Sequence, residues 1–299
     1  MKKHRIKEKM NYFHPGRICC SIFCALVLLG MMTGCKDSRQ KHLTGREMGK
    51  TNSFVPANST RAALEEIAHH KILFGHHSVG ENILAGLQTI AGEAGVSIKI
   101  VSIDSSDSIT GPAFYHFYPG RNTHPKTKID GFVHFFNGRS AGIDIAFMKF
   151  CFVDFTPDGD VEQIFEYYKR NIEQLQKKHP DVTFVHCTVP LTARSDTLKN
   201  KIKHFFGMQV WGDASNEIRG KYNKLLLREF PKSAIFNLAR IESTRLSGDR
   251  VTFRMNNGDV DALAPEYTND GGHLNELGRK VVASALSEFL KNVLDSRTH

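Results

Sequence analysis

Hydrophobic and polar positions follow two alternating patterns from about residue 61 to the C-terminus. Short apolar runs of strand length are separated by longer stretches whose apolar residues recur at helical spacing. The predicted helices are RAALEEIAHH, ENILAGLQTIAGEAG, VEQIFEYYKRNIEQLQKKHP, NEIRGKYNKLLLREFP and NELGRKVVASALSEFLKNVL, and the predicted strands are KILFG, VSIKIVSID, IDIAFMKFCFVDF, DVTFVHCTVPL and SAIFNLARI. Strands alternating with helices predict one three-layer α/β domain with a mostly parallel sheet over residues 61–299.

Residues 105–140 interrupt this pattern. They are rich in glycine and aromatic residues and show little periodicity. A connector of this length without regular structure is expected to be functional. Its aromatic side chains either stack on a sugar ring or pack the loop itself; they are Tyr115, Phe117, Tyr118, Phe135 and Phe136.

The first 34 residues have a different composition from the rest of the chain. Six Lys or Arg precede the apolar run 18–32 and the tetrapeptide MTGC, which ends at Cys35. This order is typical of a secretory signal, and the run is too short for a favoured transmembrane helix. The MTGC ending resembles the lipobox of bacterial lipoproteins, which implies lipidation of Cys35; the alternative is an ordinary signal peptide. The polar residues 35–60 then read as a flexible tether.

Charge and cysteines narrow the class of protein. Residues 1–34 carry six Lys or Arg and one Glu, a net +5 of the chain's +9, which leaves only +4 for the remainder. There is no basic block of the kind that contacts nucleic acid, and we expect no nucleic-acid partner. Beyond Cys35 only Cys151 and Cys187 remain, and these either pair or are buried free thiols.

The stretch KILFGHHSVGENI places Ser78 between a predicted strand and a helix. A serine there is often an N-cap whose hydroxyl accepts a backbone N–H. The same position also suits a nucleophile, because the free N–H groups of a helix start stabilise an oxyanion that forms beside it. The stretch alone leaves both interpretations open.

Asp270 and His273 lie three residues apart in TNDGGHLNELGRK, before the last predicted helix. One interpretation is again capping, by Asn269 or Asp270, with His273 at the surface. In the other, His273 is the general base for Ser78 and Asp270 orients its ring, as acyl-transfer triads require.

Together these two segments resemble the SGNH (GDSL-type) hydrolases, a flavodoxin-like α/β family of serine esterases. The resemblance covers roughly residues 70–295 and rests on the turn from Gly75 to Ser78 and on DGGHLNELG. It implies a catalytic triad of Ser78, Asp270 and His273 without a cofactor. FGHHSVGENI together with DIAFMKFCFVDF further resembles a bacterial envelope subgroup of this family.

The chain departs from the family pattern at two places. His77 stands where the family has an aspartate before the nucleophile, and no GxND turn follows the strand IDIAFMKF, where Lys149, Cys151 and Asp154 lie instead. By resemblance, the oxyanion-hole glycine is assigned to Gly120, with Asn122 as a side-chain donor. Gly111 and Gly138 are the alternative glycines, and the other interpretation of all three is that they only form turns.

A metal site is not expected from the spacing of the 15 histidines. The ligand spacings HExxH and CxxC are absent, and the adjacent His76 and His77 cannot easily serve one ion. The other candidate zinc ligands are His116, His124, His134, His186, Asp270 and His273.

These observations favour a lipid-anchored esterase of the bacterial cell envelope that removes O-acyl groups, such as acetyl, from a carbohydrate. An O-acyltransferase would use the same residues with a sugar hydroxyl as acceptor. The alternative from a different class is a non-catalytic glycan-binding lipoprotein on the same scaffold, which the missing GxND turn favours and the intact Ser/His/Asp set opposes. The carbohydrate assignment rests on family analogy and on the predicted location.

Overall fold

The computed structural model describes residues 58–104, 107–137, 142–194, 211–255 and 258–297. The predicted signal segment (1–34), Cys35 and nearly all of the tether (35–60) lie outside these residues, as does Gly138. Within the described part of the chain, no helix has both the length and the apolar character needed to span a membrane.

A parallel sheet forms the centre of the fold. Its strands are β1 (Lys71–Gly75), β2 (Ile100–Ser102), β3 (Ala113–Phe117), β4 (Ile145–Met148) and β5 (Thr183–Phe184). Their order across the sheet is β2-β3-β1-β4-β5, and all neighbours are parallel. The chain then continues through Val185, whose N–H donates to Ala146 O at 3.1 Å. Beyond it, β6 (His186–Cys187) pairs in parallel with β7 (Ile235–Phe236), whereas β8 (Thr252–Met255) and β9 (Gly258–Asp261) form a separate antiparallel hairpin.

Helices cover both faces of this sheet. They are α1 (Asn58–Ile67), α2 (Val79–Ala94), α3 (Pro125–Asn137), α4 (Val161–Lys178), α5 (Trp211–Glu229), α6 (Leu238–Glu242) and α7 (Glu276–Asp295). On β1, Ile72 and Phe74 pack in one apolar cluster with α1, α2 and α7, whereas Leu73 packs in the other with α3, α4 and α5. Parallel strands buried on both faces have this arrangement. The predicted three-layer α/β architecture is confirmed.

The segment 105–140 differs most from its prediction. It contains β3 and α3, and β3 lies between β2 and β1. All five side chains of β3 are buried, so the strand has no polar alternation that a pattern search could detect. The aromatic side chains of the segment pack in the core, apart from Tyr118, which is 51% exposed. The expectation of a long irregular loop is therefore wrong, and the packing alternative holds for Tyr115, Phe117, Phe135 and Phe136.

Three smaller findings refine the predictions. The predicted strand SAIFNLARI ends at Phe236, because the Asn237 side chain accepts from Arg240 N and begins α6. Cys151 and Cys187 are both buried free thiols, so that alternative is confirmed. The first helix begins three residues before residue 61.

The turns after β1, β3 and β4 meet at one edge of the sheet. His76 N donates to Phe117 O at 3.0 Å, and Lys149 N donates to Gly75 O at 3.0 Å. The segment before Ser78 is therefore held on both sides. In open parallel sheets, ligands bind at this carboxyl-terminal edge.

Candidate active site

Three side chains from distant parts of the chain meet at this edge. The Ser78 Oγ lies 2.5 Å from His273 Nε2, and His273 Nδ1 lies 2.7 Å from Asp270 Oδ2. Ser78 follows β1, whereas the other two lie in the loop before α7. The structure thus brings together the three residues predicted to be catalytic, in the order hydroxyl, imidazole, carboxylate.

Ser78 lies on a strained turn at the start of α2. Its φ is 52° and its ψ is −103°, and a positive φ is uncommon for any residue except glycine. It occupies the N-cap position, but its side chain makes no capping hydrogen bond. The capping interpretation is therefore wrong for the hydroxyl, which faces His273. Strain of this kind costs about 1–3 kcal/mol and is concentrated at functional sites.

The carboxylate of Asp270 is held by its own loop. Oδ1 accepts from Gly272 N at 2.9 Å and from His273 N at 2.8 Å, while Oδ2 faces the His273 ring. These donors, with His273 N foremost, hold the pKa of Asp270 well below its usual range, so the group stays ionised. A carboxylate at Nδ1 requires a proton there, which leaves the lone pair on Nε2. The imidazole can therefore accept the Ser78 proton.

A different residue caps the helix that follows. The side chain of Asn275 accepts an N–H from the first turn of α7 at 3.0 Å. The capping interpretation of Asn269 or Asp270 is therefore wrong, and the Asp270 carboxylate is available to His273. Leu274 N donates to Asn82 Oδ1 at 3.1 Å, which fastens this loop to α2.

A small cavity of about 240 Å³ opens beside the triad; it is lined by Phe152, Thr192, Asp270, Gly271, Gly272 and His273. The Phe152 ring lies edge-on to His273 with centroids 5.5 Å apart. A Cβ at Gly272 would come within 2.9 Å of that ring, so the glycine leaves room for it. A larger cleft of about 320 Å³ lies beside β9 and contains none of the triad residues, so we place the chemistry at the smaller cavity.

The predicted oxyanion residues Gly120 and Asn122 lie in the turn between β3 and α3. Gly120 has a φ of +57°, and a Cβ there would lie 2.4 Å from the Thr127 backbone, so only glycine fits. The His77 Nε2–H donates to Pro119 O at 2.8 Å, which joins this turn to the residue before the nucleophile.

The described residues contain no hydrogen bond from this turn to the triad itself. Gly120 and Asn122 therefore lie in a neighbouring turn that His77 attaches to the nucleophile turn. The alternative glycine Gly111 is engaged elsewhere, because its N–H donates to the Tyr115 hydroxyl at 3.3 Å.

Two histidines lie in contact behind the nucleophile turn. His76 Nε2 and His116 Nδ1 are 3.1 Å apart, and a Glu81 carboxylate oxygen completes a group of three ligand atoms within 4.8 Å of one another. These residues could hold a divalent ion. Burial lowers the pKa of His76 to about 2 and also lowers that of His116, so both rings are neutral and one N–H between them accounts for the contact. A bound metal ion would have to replace that hydrogen bond. Sequence reasoning did not place His116 beside His76 because it did not identify β3.

The sequence analysis did not identify a buried ion pair beside the turn between β3 and α3. Lys128 Nζ lies 2.6 Å from Asp154 Oδ2, and both side chains are fully buried. Lys128 lies on the apolar face of α3, four residues before the buried Phe132. A lysine at that helical spacing is the signal that could have identified it.

Comparisons with known proteins found similarity to solved structures alone. No family model matches, and no curated protein matches. Similar solved structures include a protein described as a platelet activating factor from Streptococcus pneumonia (15% identity, TM-score 0.44, 77% of this chain and 91% of that one). A second is a protein described as a GDSL-like lipase from Parabacteroides merdae (14% identity, TM-score 0.43, 75% of this chain and 96% of that one). A third is a carbohydrate esterase family 3 protein from Talaromyces cellulolyticus (12% identity, TM-score 0.42, 76% of this chain and 99% of that one). Two of these three solved structures are described as an esterase or a lipase, and those descriptions belong to those proteins. These scores and identities are low, and the fold assignment rests on the strand order and layers described above.

Proposed function

We propose that this protein is a serine esterase of the cell envelope that removes O-acyl groups, most simply acetyl, from a carbohydrate. The observation that carries the proposal is the unbroken series of contacts from Ser78 Oγ through His273 to Asp270, at 2.5 and 2.7 Å. A serine used only as a helix cap would direct its oxygen to the backbone and would not need a strained φ.

In the proposed reaction, Ser78 Oγ attacks the ester carbonyl carbon and His273 Nε2 takes the hydroxyl proton. Asp270 stabilises the imidazolium that forms and keeps its ring oriented. When the tetrahedral intermediate collapses, His273 returns the proton to the leaving sugar oxygen, and an acyl-serine remains. Water then attacks the acyl group by the same steps, releasing a carboxylic acid and the free serine.

The negative charge on the carbonyl oxygen needs hydrogen-bond donors. We assign this role to the backbone N–H groups of Ser78 and Gly120 and to the side-chain Nδ2 of Asn122. Support for the last two is their position in the turn that His77 attaches to the nucleophile turn through Pro119 O. One such donor is worth about 10²–10³ in turnover number.

Two features favour a short acyl group on a sugar. The cavity beside the triad, at about 240 Å³, is smaller than the pockets of roughly 300–1,000 Å³ that hold drug-sized ligands. Tyr118 presents an exposed ring near the nucleophile, because its hydroxyl donates to Glu81 in the first turn of α2. That ring is the surface we assign to stacking on the carbohydrate.

The envelope location is supported by the basic leader and the MTGC motif. Cys35→Ser is expected to block lipid attachment and signal processing, so that the unprocessed precursor accumulates. The measurement is metabolic labelling with a fatty-acid analogue, together with mass spectrometry of the mature N-terminus. A soluble wild-type protein whose N-terminus is not Cys35 would refute the anchor.

The proposal is tested with an alkyl fluorophosphonate probe on the full chain extracted in detergent. Wild-type protein should be labelled and should hydrolyse an aryl acetate, and Ser78→Ala should do neither. A folded wild-type protein that is not labelled would favour the glycan-binding alternative. If acetylated sugars are substrates, adding an acceptor sugar separates the two enzyme classes, since a transferase would form acetylated acceptor in place of free acetate.

A further inference from the structure

The ion pair of Lys128 and Asp154 is unusual because it is fully removed from solvent. Burial of two charges is costly and is offset only where each charge meets several hydrogen-bond partners. Asp154 has three: Lys128 Nζ at 2.6 Å, Thr123 N at 2.8 Å and Cys151 N at 2.7 Å. Lys128 Nζ donates in addition to Asn122 Oδ1 at 2.8 Å. Lys128 lies on α3, and the other partners lie in the turn after β3 or in the segment after β4.

The contact with Lys128 determines which way the Asn122 amide faces. An ammonium group is only a donor, so the amide atom that it meets is the oxygen. The Nδ2 group lies in the same plane as Oδ1 but on the other branch of Cγ, so its N–H groups point away from the contact with Lys128. Asn122 is exposed, and its Nδ2 makes no hydrogen bond within the described part of the chain. The ion pair thus leaves a fixed and unused N–H donor at the surface of the turn.

Asp154 also holds the backbone of the same turn. Thr123 has a φ of 65°, which is uncommon for a β-branched residue. Its N–H is bound by Asp154 Oδ1, and at the other end of the turn Pro119 O is bound by the His77 ring. The turn that carries Asn122 is therefore attached at one end to the nucleophile turn and at the other end to the ion pair.

We propose that Lys128 and Asp154 are positioning residues for the oxyanion site, because together they fix Asn122 with its Nδ2 free to donate to the substrate oxygen. This inference rests on the proposed esterase function. It assigns a role in catalysis to a buried charge pair that makes no contact with the triad within the described part of the chain. The ion pair takes no part in proton transfer and acts only through Asn122.

The test is a mutant cycle on aryl acetate hydrolysis by the full chain. Asn122→Ala should lower kcat by about 10²–10³ with little change in KM, since the donor acts on the transition state. Lys128→Met combined with Asp154→Asn removes both buried charges and leaves an amide oxygen that can still accept from Thr123 N–H. This double variant should lose most of the same factor. When the same two substitutions are added to Asn122→Ala, kcat should fall by less than about a further threefold, because the effects of residues that act as a unit are not additive.

Two further variants separate positioning from folding. Asn122→Asp keeps an oxygen for Lys128 but has no N–H, so it should fold normally and lose about as much kcat as Asn122→Ala. Lys169→Met removes a matched ion pair, Lys169 with Glu229 at 2.9 Å on the outside of α4, and should leave kcat unchanged.

The outcomes distinguish this inference from the function on which it rests. A folded Lys128→Met/Asp154→Asn protein with wild-type kcat would overturn the inference, as would losses that multiply with that of Asn122→Ala. If Asn122→Ala keeps wild-type kcat while Ser78→Ala is inactive, the esterase function stands and the inference is wrong. If the wild-type protein neither reacts with the fluorophosphonate nor hydrolyses the ester, both are wrong.

Discussion

Glycine at position 78 is expected to give a protein that is inactive but more stable than the alanine variant. The native φ of 52° and ψ of −103° are open to glycine without steric cost, whereas they cost a residue with a Cβ about 1–3 kcal/mol. Ser78→Ala and Ser78→Gly both remove the hydroxyl and its contact with His273. The difference between their free energies of unfolding therefore reports only the effect of the backbone conformation at position 78. The greater freedom of glycine in the unfolded chain works against it by about 0.5–1 kcal/mol. We therefore expect the free energy of unfolding of the glycine variant to be about 1 kcal/mol higher than that of the alanine variant.

The measurement is the free energy of unfolding in urea, with circular dichroism as the signal that monitors unfolding. Ser296 provides the control, because it ends α7 with a φ of −71° and a ψ of −15° in the right-handed region. At that position the usual order should hold, with alanine more stable than glycine. If alanine is as stable as glycine or more stable at position 78, then Ser78 is not strained, and the argument that a nucleophile shapes this turn fails.

Three further predictions concern the triad, the buried acid and the metal question. Ser78→Ala and His273→Ala should each lower turnover by roughly 10⁴–10⁶, and the double variant little further, because the residues share one step; multiplicative losses would refute the triad. Burial raises the pKa of Glu242 from 4.5 to about 8, so the folded protein binds this proton more tightly than the unfolded chain. The resulting contribution to the free energy of unfolding is present below pH 4.5 and is lost as the pH rises to about 8. Glu242→Gln should reduce the change in the free energy of unfolding over this pH range by roughly a few kcal/mol. An unchanged pH dependence would contradict the raised pKa of Glu242. Treatment with EDTA should leave ester hydrolysis unchanged; loss of activity that zinc restores would instead point to His76, His116 and Glu81.

Much of the architecture could be predicted from local pattern. The strand β1 and the helices α2, α4 and α7 carry strong apolar periodicity, and their packing follows from which face is apolar. β3 could not be predicted in this way. All its side chains are buried, and its place between β2 and β1 depends on pairing with strands that are distant in sequence. Such pairing leaves no periodic trace in a short run of residues.

The same distinction between local sequence and tertiary structure applies to the candidate site. The sequence alone contained Ser78 at the start of a helix and Asp270 and His273 three residues apart, because these relations are local. Whether each serves as a cap or as a reactive group depended on distances across the fold, and the 2.5 Å contact between Ser78 and His273 separates the two. Tertiary structure alone also joined Lys128 to Asp154, since a buried charge is identified by the partners that the fold brings to it and not by its neighbours in the chain.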